Sequence, residues 1–232
     1  MIKTKNNNMI TDKKKVFLTG PLGSGKTEIA INLALYLNSE DPGKITLIDL
    51  DMVKPYFRLR SVKEPIKKSG IEVLTPEGPY QYTDFPIITA RMESYIISPE
   101  KRVIIDVGGE TVGARIVGRY RGNIDPGEVE VFYVFNGRRS VDNNLSEMCE
   151  DLEQIRRVLP FPLTGIIHNS HLMNESTVDI LESHIDQAKE ISNYSGIPLR
   201  FHCIREDLYK EASKTIEGHL LPLKLLLIPE WL

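Results

Sequence analysis

The sequence predicts an α/β fold, a mostly parallel sheet with helices on both faces, and two observations carry that prediction. Short β-rich runs alternate with helical patterns from one end of the chain to the other, as a series of βαβ units requires. The 232 residues, 41% apolar and 26% charged, are enough to bury one large core. A polar, Asn-rich arm over residues 1–14 and a single domain over 15–232 are the expected organisation.

Strands are expected at Val16 to Thr19, Ile45 to Leu50, Ile71 to Thr75, Arg102 to Val107, Val129 to Phe135, Leu163 to His168 and Ile197 to Ile204. Between the first two, Ile29, Leu33 and Leu37 share one helical face. Ser61 with Glu64 reads as a capping box for a short helix that Gly70 closes, and Asp84 as the cap of a segment with Pro86 in its first turn. Gly113, Gly118 and Gly122 interrupt the segment carrying Arg115, Arg119 and Arg121 and predict a soft element. Leu145, Met148, Cys149, Leu152, Ile155 and Leu159 form one buried helical stripe; Leu181, Ile185, Ala188 and Ser192 form another, stopped by Gly196. The tail, HLLPLKLLLIPEWL, is apolar but broken by Pro222 and Pro229, which favours a packed last element over an oligomer contact or a continuous membrane helix.

A formal net charge of -3 supplies no global basic field, so nucleic acid is not an expected partner. The N-terminal arm lacks the apolar core of a signal peptide, and no segment has eighteen uncharged apolar residues, so stable membrane insertion is not expected. Cys149 and Cys203 form no C-x-x-C pair, and a reducing, cytoplasmic setting fits them. The five histidines show no metal-ligand spacing and are given no role.

The stretch GPLGSGKTE carries the chemistry. Gly20-x-x-x-x-Gly25-Lys26-Thr27 lies between a strand and a helix, the setting in which a glycine-rich loop can cradle phosphates. Gly20, Gly23, Ser24 and Gly25 are expected to wrap the phosphates, Lys26 to bridge the outer ones and Thr27 to hold Mg²⁺. The run RVIIDVGGE supplies Asp106 as the metal-side carboxylate, with Gly108 and Gly109 free to bring a backbone N–H to the terminal phosphate. Asp49 and Asp51 end the second strand, and one of them is expected to orient water or complete the metal shell.

The loop on the first strand, the IDLD end of the second, the IDVGG strand and a late strand ending in Asn169 together resemble the MinD/ParA/CobQ-type branch of the SIMIBI-class phosphate-loop NTPases. The resemblance covers nearly the whole chain after Lys15. It implies a doubly wound sheet with nucleotide at its carboxyl edge. MinD and ParA place a signature lysine where this chain has Pro21, so their dimer-dependent hydrolysis is not carried over, although a homodimer stays compatible with the sequence. The same resemblance puts Asn169 against the purine. The NSHL that contains it lacks the Asn-Lys-x-Asp pattern that selects guanine, which favours ATP.

The leading expectation is a slow Mg²⁺-dependent ATPase whose nucleotide state governs a protein partner. A small-molecule kinase or ligase is the alternative, with an acceptor near Asp51, Arg58 or Arg138, and Asn136 and Arg139 close by in sequence. A metal-cluster or cofactor-loading chaperone is a third reading, weakened by the scattered cysteines.

Overall fold

The computed structural model describes residues 10–50, 62–75, 88–108, 110–139, 145–170 and 175–227. Asp51, Arg58, Ser61, Asp84, Pro86, Gly109, His171 and Pro229 lie outside them, as does the side chain of Arg139. Eight strands form: β1 (Lys15–Thr19), β2 (Ile45–Asp49), β3 (Glu72–Leu74), β4 (Arg102–Asp106), β5 (Val129–Phe135), β6 (Gly165–His168), β7 (Leu199–Arg205) and β8 (Leu220–Leu223). They make one parallel sheet in the order β3-β2-β4-β1-β5-β6-β7-β8. The strand that leads into the glycine-rich loop is therefore central, with β4 on one side and β5 on the other.

The helices are α1 (Lys26–Glu40), α2 (Lys63–Lys68), α3 (Ala90–Ile97), α4 (Glu110–Val117), α5 (Leu145–Val158), α6 (Val178–Glu182), α7 (Ile185–Ser195) and α8 (Tyr209–Thr215). Strand alternation sorts them. Phe17 points to a face where Met92 and Ile96 of α3, Val117 of α4, Leu152 and Ile155 of α5 and Ile191 of α7 pack. Val16 and Leu18 point to the other, where Ile29, Leu33 and Leu37 of α1 and Ile66 of α2 lie. Each such fully buried side chain contributes roughly 1.5–3 kcal/mol, and both faces are covered. The sheet is doubly wound, as the sequence predicts.

Two local expectations need correction. Helix α2 begins after Val62 and α3 after Thr89, whose hydroxyl accepts the Met92 N–H at 3.2 Å; the Ser61 and Asp84 caps expected from sequence lie outside the described residues. The stripe from Leu181 to Ser192 is not one helix. Ser183 Oγ donates to the Ile180 carbonyl at 2.9 Å and His184 Nδ1 sits 2.8 Å from the same oxygen, so side chains take over a backbone acceptor where α6 stops and α7 starts. The polar arm is tied down before Lys15: Thr11 is buried, and Arg102 donates to its carbonyl at 2.6 Å.

The apolar tail is an added strand. In β8 the His219 carbonyl accepts from His202 N–H, and the alternation that follows turns Pro222 outward, so its missing N–H costs β7 nothing. Lys15, buried at the amino end of the central strand β1, donates to the carbonyls of Tyr95, Ser98 and Lys101 and closes the end of α3.

Candidate nucleotide site

The loop between β1 and α1 has the backbone that its glycines predict. Gly20, Gly23 and Gly25 have φ of 138°, 74° and 93°. A Cβ on Gly20 would stand 2.5 Å from the Val134 carbonyl oxygen, and one on Gly25 2.2 Å from Asn169 Nδ2, so both positions need glycine twice over. Gly25 also caps α1 without any side-chain acceptor, leaving the first-turn N–H groups and the positive end of a 15-residue helix for an anion.

Lys26 is fully buried. Its ammonium donates to the carbonyls of Gly20 and Pro21, both at 2.9 Å, which folds the side chain back over the loop. Thr27 Oγ1 donates to Asp106 Oδ2 at 2.5 Å, joining the loop to the end of β4. Asp49 stands beside Asp106 in the β2–β4 register, and both are buried. Two carboxylates on neighbouring strands repel, and a divalent cation beside Thr27 and Asp106 would relieve that repulsion.

Asn169 leaves the end of β6 and donates from Nδ2 to the Ser24 carbonyl at 2.7 Å, so it braces the loop directly. Its Oδ1 and the Ser24 hydroxyl are buried with no hydrogen-bond partner. Orphaned polar atoms of this kind are costly, and here they converge on the loop, as a site shaped for a polar ligand requires. The donor set fits Mg²⁺ and phosphate: Thr27 and Asp106 for the metal, Lys26 and the α1 N-terminus for the anion.

Arg138, by contrast, is exposed on a 3-10 turn after β5, where Asn136 Oδ1 accepts its backbone N–H. Cys149 on α5 and Cys203 on β7 are both buried, and among the described residues no cluster of His, Cys, Asp or Glu could hold a metal ion.

Three features escaped the sequence reading. Gly113 is one: a Cβ there would lie 2.0 Å from the Gly108 carbonyl oxygen, so α4 rests on the backbone that follows Asp106. Its glycine serves close approach, while Ala114, Val117 and Tyr120 pack the segment into the core. The second is the clasp of Glu28 and Asn32 on residues 224–227, taken up below. The available signal was two polar residues one turn apart, Glu28 and Asn32, in a helix whose Ile29, Ala30, Ile31, Leu33, Ala34 and Leu35 are apolar.

The third is a buried histidine pair. His168 Nδ1 and His202 Nδ1 are 2.8 Å apart, and His168 Nε2 lies 2.8 Å from Ser170 Oγ, which accepts the Gly137 N–H. One proton must sit between the two rings, so they cannot both be charged and stay in contact. Burial pushes His202 down to about 4 and His168 well below the usual histidine range. The unfolded chain therefore binds more protons between pH ~6.5 and ~4, and stability falls as pH drops through that window. The loss from His202 is on the order of 3 kcal/mol. Denaturant unfolding measured across this range should show a slope that flattens in a His168→Gln/His202→Gln variant.

No protein-family profile matches the chain, and no curated protein does. Solved structures do. The cell division protein FtsY from Thermotoga maritima superposes with a TM-score of 0.51 at 19% identity, covering 82% of this chain and 61% of that one. The signal recognition particle receptor FtsY from Elizabethkingia anophelis in complex with GDP gives 0.53 at 16% identity, over 96% and 63%. The signal recognition particle 54 kDa protein from Aeropyrum pernix in complex with GDP gives 0.51 at 18%, over 83% and 42%. The chain shares with these neighbours the α/β fold of a phosphate-loop NTPase. These neighbours share the fold and do not single out the MinD/ParA/CobQ branch. The chain spans less than two thirds of the length of each. No described helix is long and apolar enough to cross a membrane.

Proposed function

We propose that this chain is a Mg²⁺-dependent nucleotide switch that holds a purine nucleoside triphosphate at the carboxyl end of β1 and signals its state to a protein partner. The observation that carries the reading is the joined set of buried Lys26, uncapped α1 N-terminus and Thr27 hydrogen-bonded to Asp106. Bound Mg²⁺ would neutralise charge on the outer phosphates. Thr27 and Asp106 would hold it, and Lys26 would exchange the Gly20 and Pro21 carbonyls for phosphate oxygens. Asp49, beside Asp106, is the described carboxylate placed to orient water, with Asp51 two residues on; Gly109 N–H is assigned to the terminal phosphate. Asn169 keeps a second amide hydrogen for the base once Ser24 has taken the first.

The base is read as adenine because Leu172 stands where a guanine-selecting carboxylate would be, three residues after Asn169. Two of the solved structures of the same fold are in complex with GDP, which makes GTP the competing ligand. Purified protein with Mg²⁺ and labelled ATP or GTP tests all of this. Binding and slow phosphate release from ATP, absent in Lys26→Ala, support the switch. Preference for GTP would reverse the base assignment, transfer of label to a small molecule from cell extract would make the protein a kinase or ligase, and binding of neither nucleotide would overturn the reading.

A further inference from the structure

After β8 the chain turns back onto the helix that begins at the phosphate loop. Glu28, the residue after Thr27, accepts the Leu226 N–H on Oε1 at 2.8 Å and the Leu227 N–H on Oε2 at 3.0 Å. One turn later Asn32 pairs both ways with one residue: its Nδ2 donates to the Lys224 carbonyl at 3.0 Å and its Oδ1 accepts the Lys224 N–H at 2.8 Å. Asn32 Nδ2 also donates to the Glu28 carbonyl at 2.8 Å, linking the two clasp residues. Leu227 is buried in the same core cluster as Ile29 and Leu33, and Leu226 packs against it.

The placement of this clasp is what gives it meaning. Glu28 lies in the first turn of α1, the turn that presents Lys26 and Thr27. A carboxylate there competes with phosphate for the positive end of the helix. Burial raises the cost of its charge, and the two amides of residues 226 and 227 offset that cost. With those amides withdrawn, a buried carboxylate would be left uncompensated next to the anion site, and the first turn would have to move to rehydrate it.

We infer that residues 224–227 form a strap that positions the phosphate loop through Glu28 and Asn32, so that strap docking and nucleotide binding reinforce each other; the inference rests on the nucleotide-binding reading above. Glu28 and Asn32 are positioning residues and touch no ligand. Coupling of this kind is reciprocal. Nucleotide should tighten the strap as the strap tightens the nucleotide.

Two measurements test it. Leu226→Pro deletes one strap N–H and leaves α1 unchanged; with Asn32→Ala, which releases Lys224 without changing the charge beside the loop, as its counterpart, nucleotide affinity is measured by titration calorimetry after circular dichroism has shown a native fold. Weakening of about tenfold in both, with a Tyr194→Ala control on an exposed α7 position unchanged, is the expected result. In parallel, hydrogen exchange at the Leu226 and Leu227 amides of the unaltered protein is followed with and without Mg–nucleotide, which needs no variant to fold. Slower exchange with nucleotide supports coupling. Unchanged exchange, or wild-type affinity in both folded variants, overturns the strap while leaving the nucleotide site standing; an unaltered protein that binds no nucleotide overturns both.

Discussion

Replacing Lys26 with alanine is expected to weaken binding of Mg–nucleoside triphosphate by about a hundredfold or more, the scale on which single preorganised donors to an anion act. The ammonium is already fully buried and donates to the Gly20 and Pro21 carbonyls of its own loop. It therefore needs little reorganisation to meet phosphate. Alanine removes the charge and leaves two carbonyls to be satisfied by water, yet the helix and the sheet beneath keep their packing. The variant should stay folded by circular dichroism while losing its ligand, and isothermal titration with ATP and with GTP checks both halves. Retained affinity would mean that the loop is a turn without a ligand.

Gly113→Ala should destabilise the fold although it adds a single methyl group to a helix. By helix propensity alone, alanine in the middle of α4 would add up to about 1 kcal/mol of stability. The packing reverses the sign. The new Cβ would lie 2.0 Å from the Gly108 carbonyl oxygen and 2.9 Å from its nitrogen, contacts that backbone cannot yield without moving α4 or the residues after Asp106. A loss of about 1–3 kcal/mol is expected from such overpacking, measured by urea denaturation. The displaced segment is the one assigned to sense the terminal phosphate. Hydrogen exchange over residues 108–121 should slow on triphosphate binding in the unaltered protein and fail to do so in the variant.

Much of this arrangement was legible in the sequence because it rests on local chemistry. Runs such as RVIID and VEVFYVF can bury both faces only in a parallel sheet, and a glycine-rich loop between strand and helix has few other uses. Asp106 and Thr27 are 79 residues apart, but each announced itself by the element it ends or begins. What stayed hidden depends on partners far away in sequence. β8 is leucine-rich with a proline inside, and only its edge position makes that proline harmless. Glu28 looks like an ordinary first-turn acid until the Leu226 and Leu227 amides arrive from the far end of the chain. Gly113 looks like a helix breaker until Gly108 is underneath it, and His168 and His202 read as unrelated until adjacent strands bring their rings into contact.

The two borders of the sheet also govern how this protein meets copies of itself. One border is β3, three residues long; the other is β8, with Pro222 facing outward. A short border offers too little backbone to template an incoming chain, and a proline interrupts the row of donors that such templating needs. Fibrillar growth by strand addition is blocked at both ends of the sheet, so concentrated samples of the native state are disfavoured from seeding amyloid through either border.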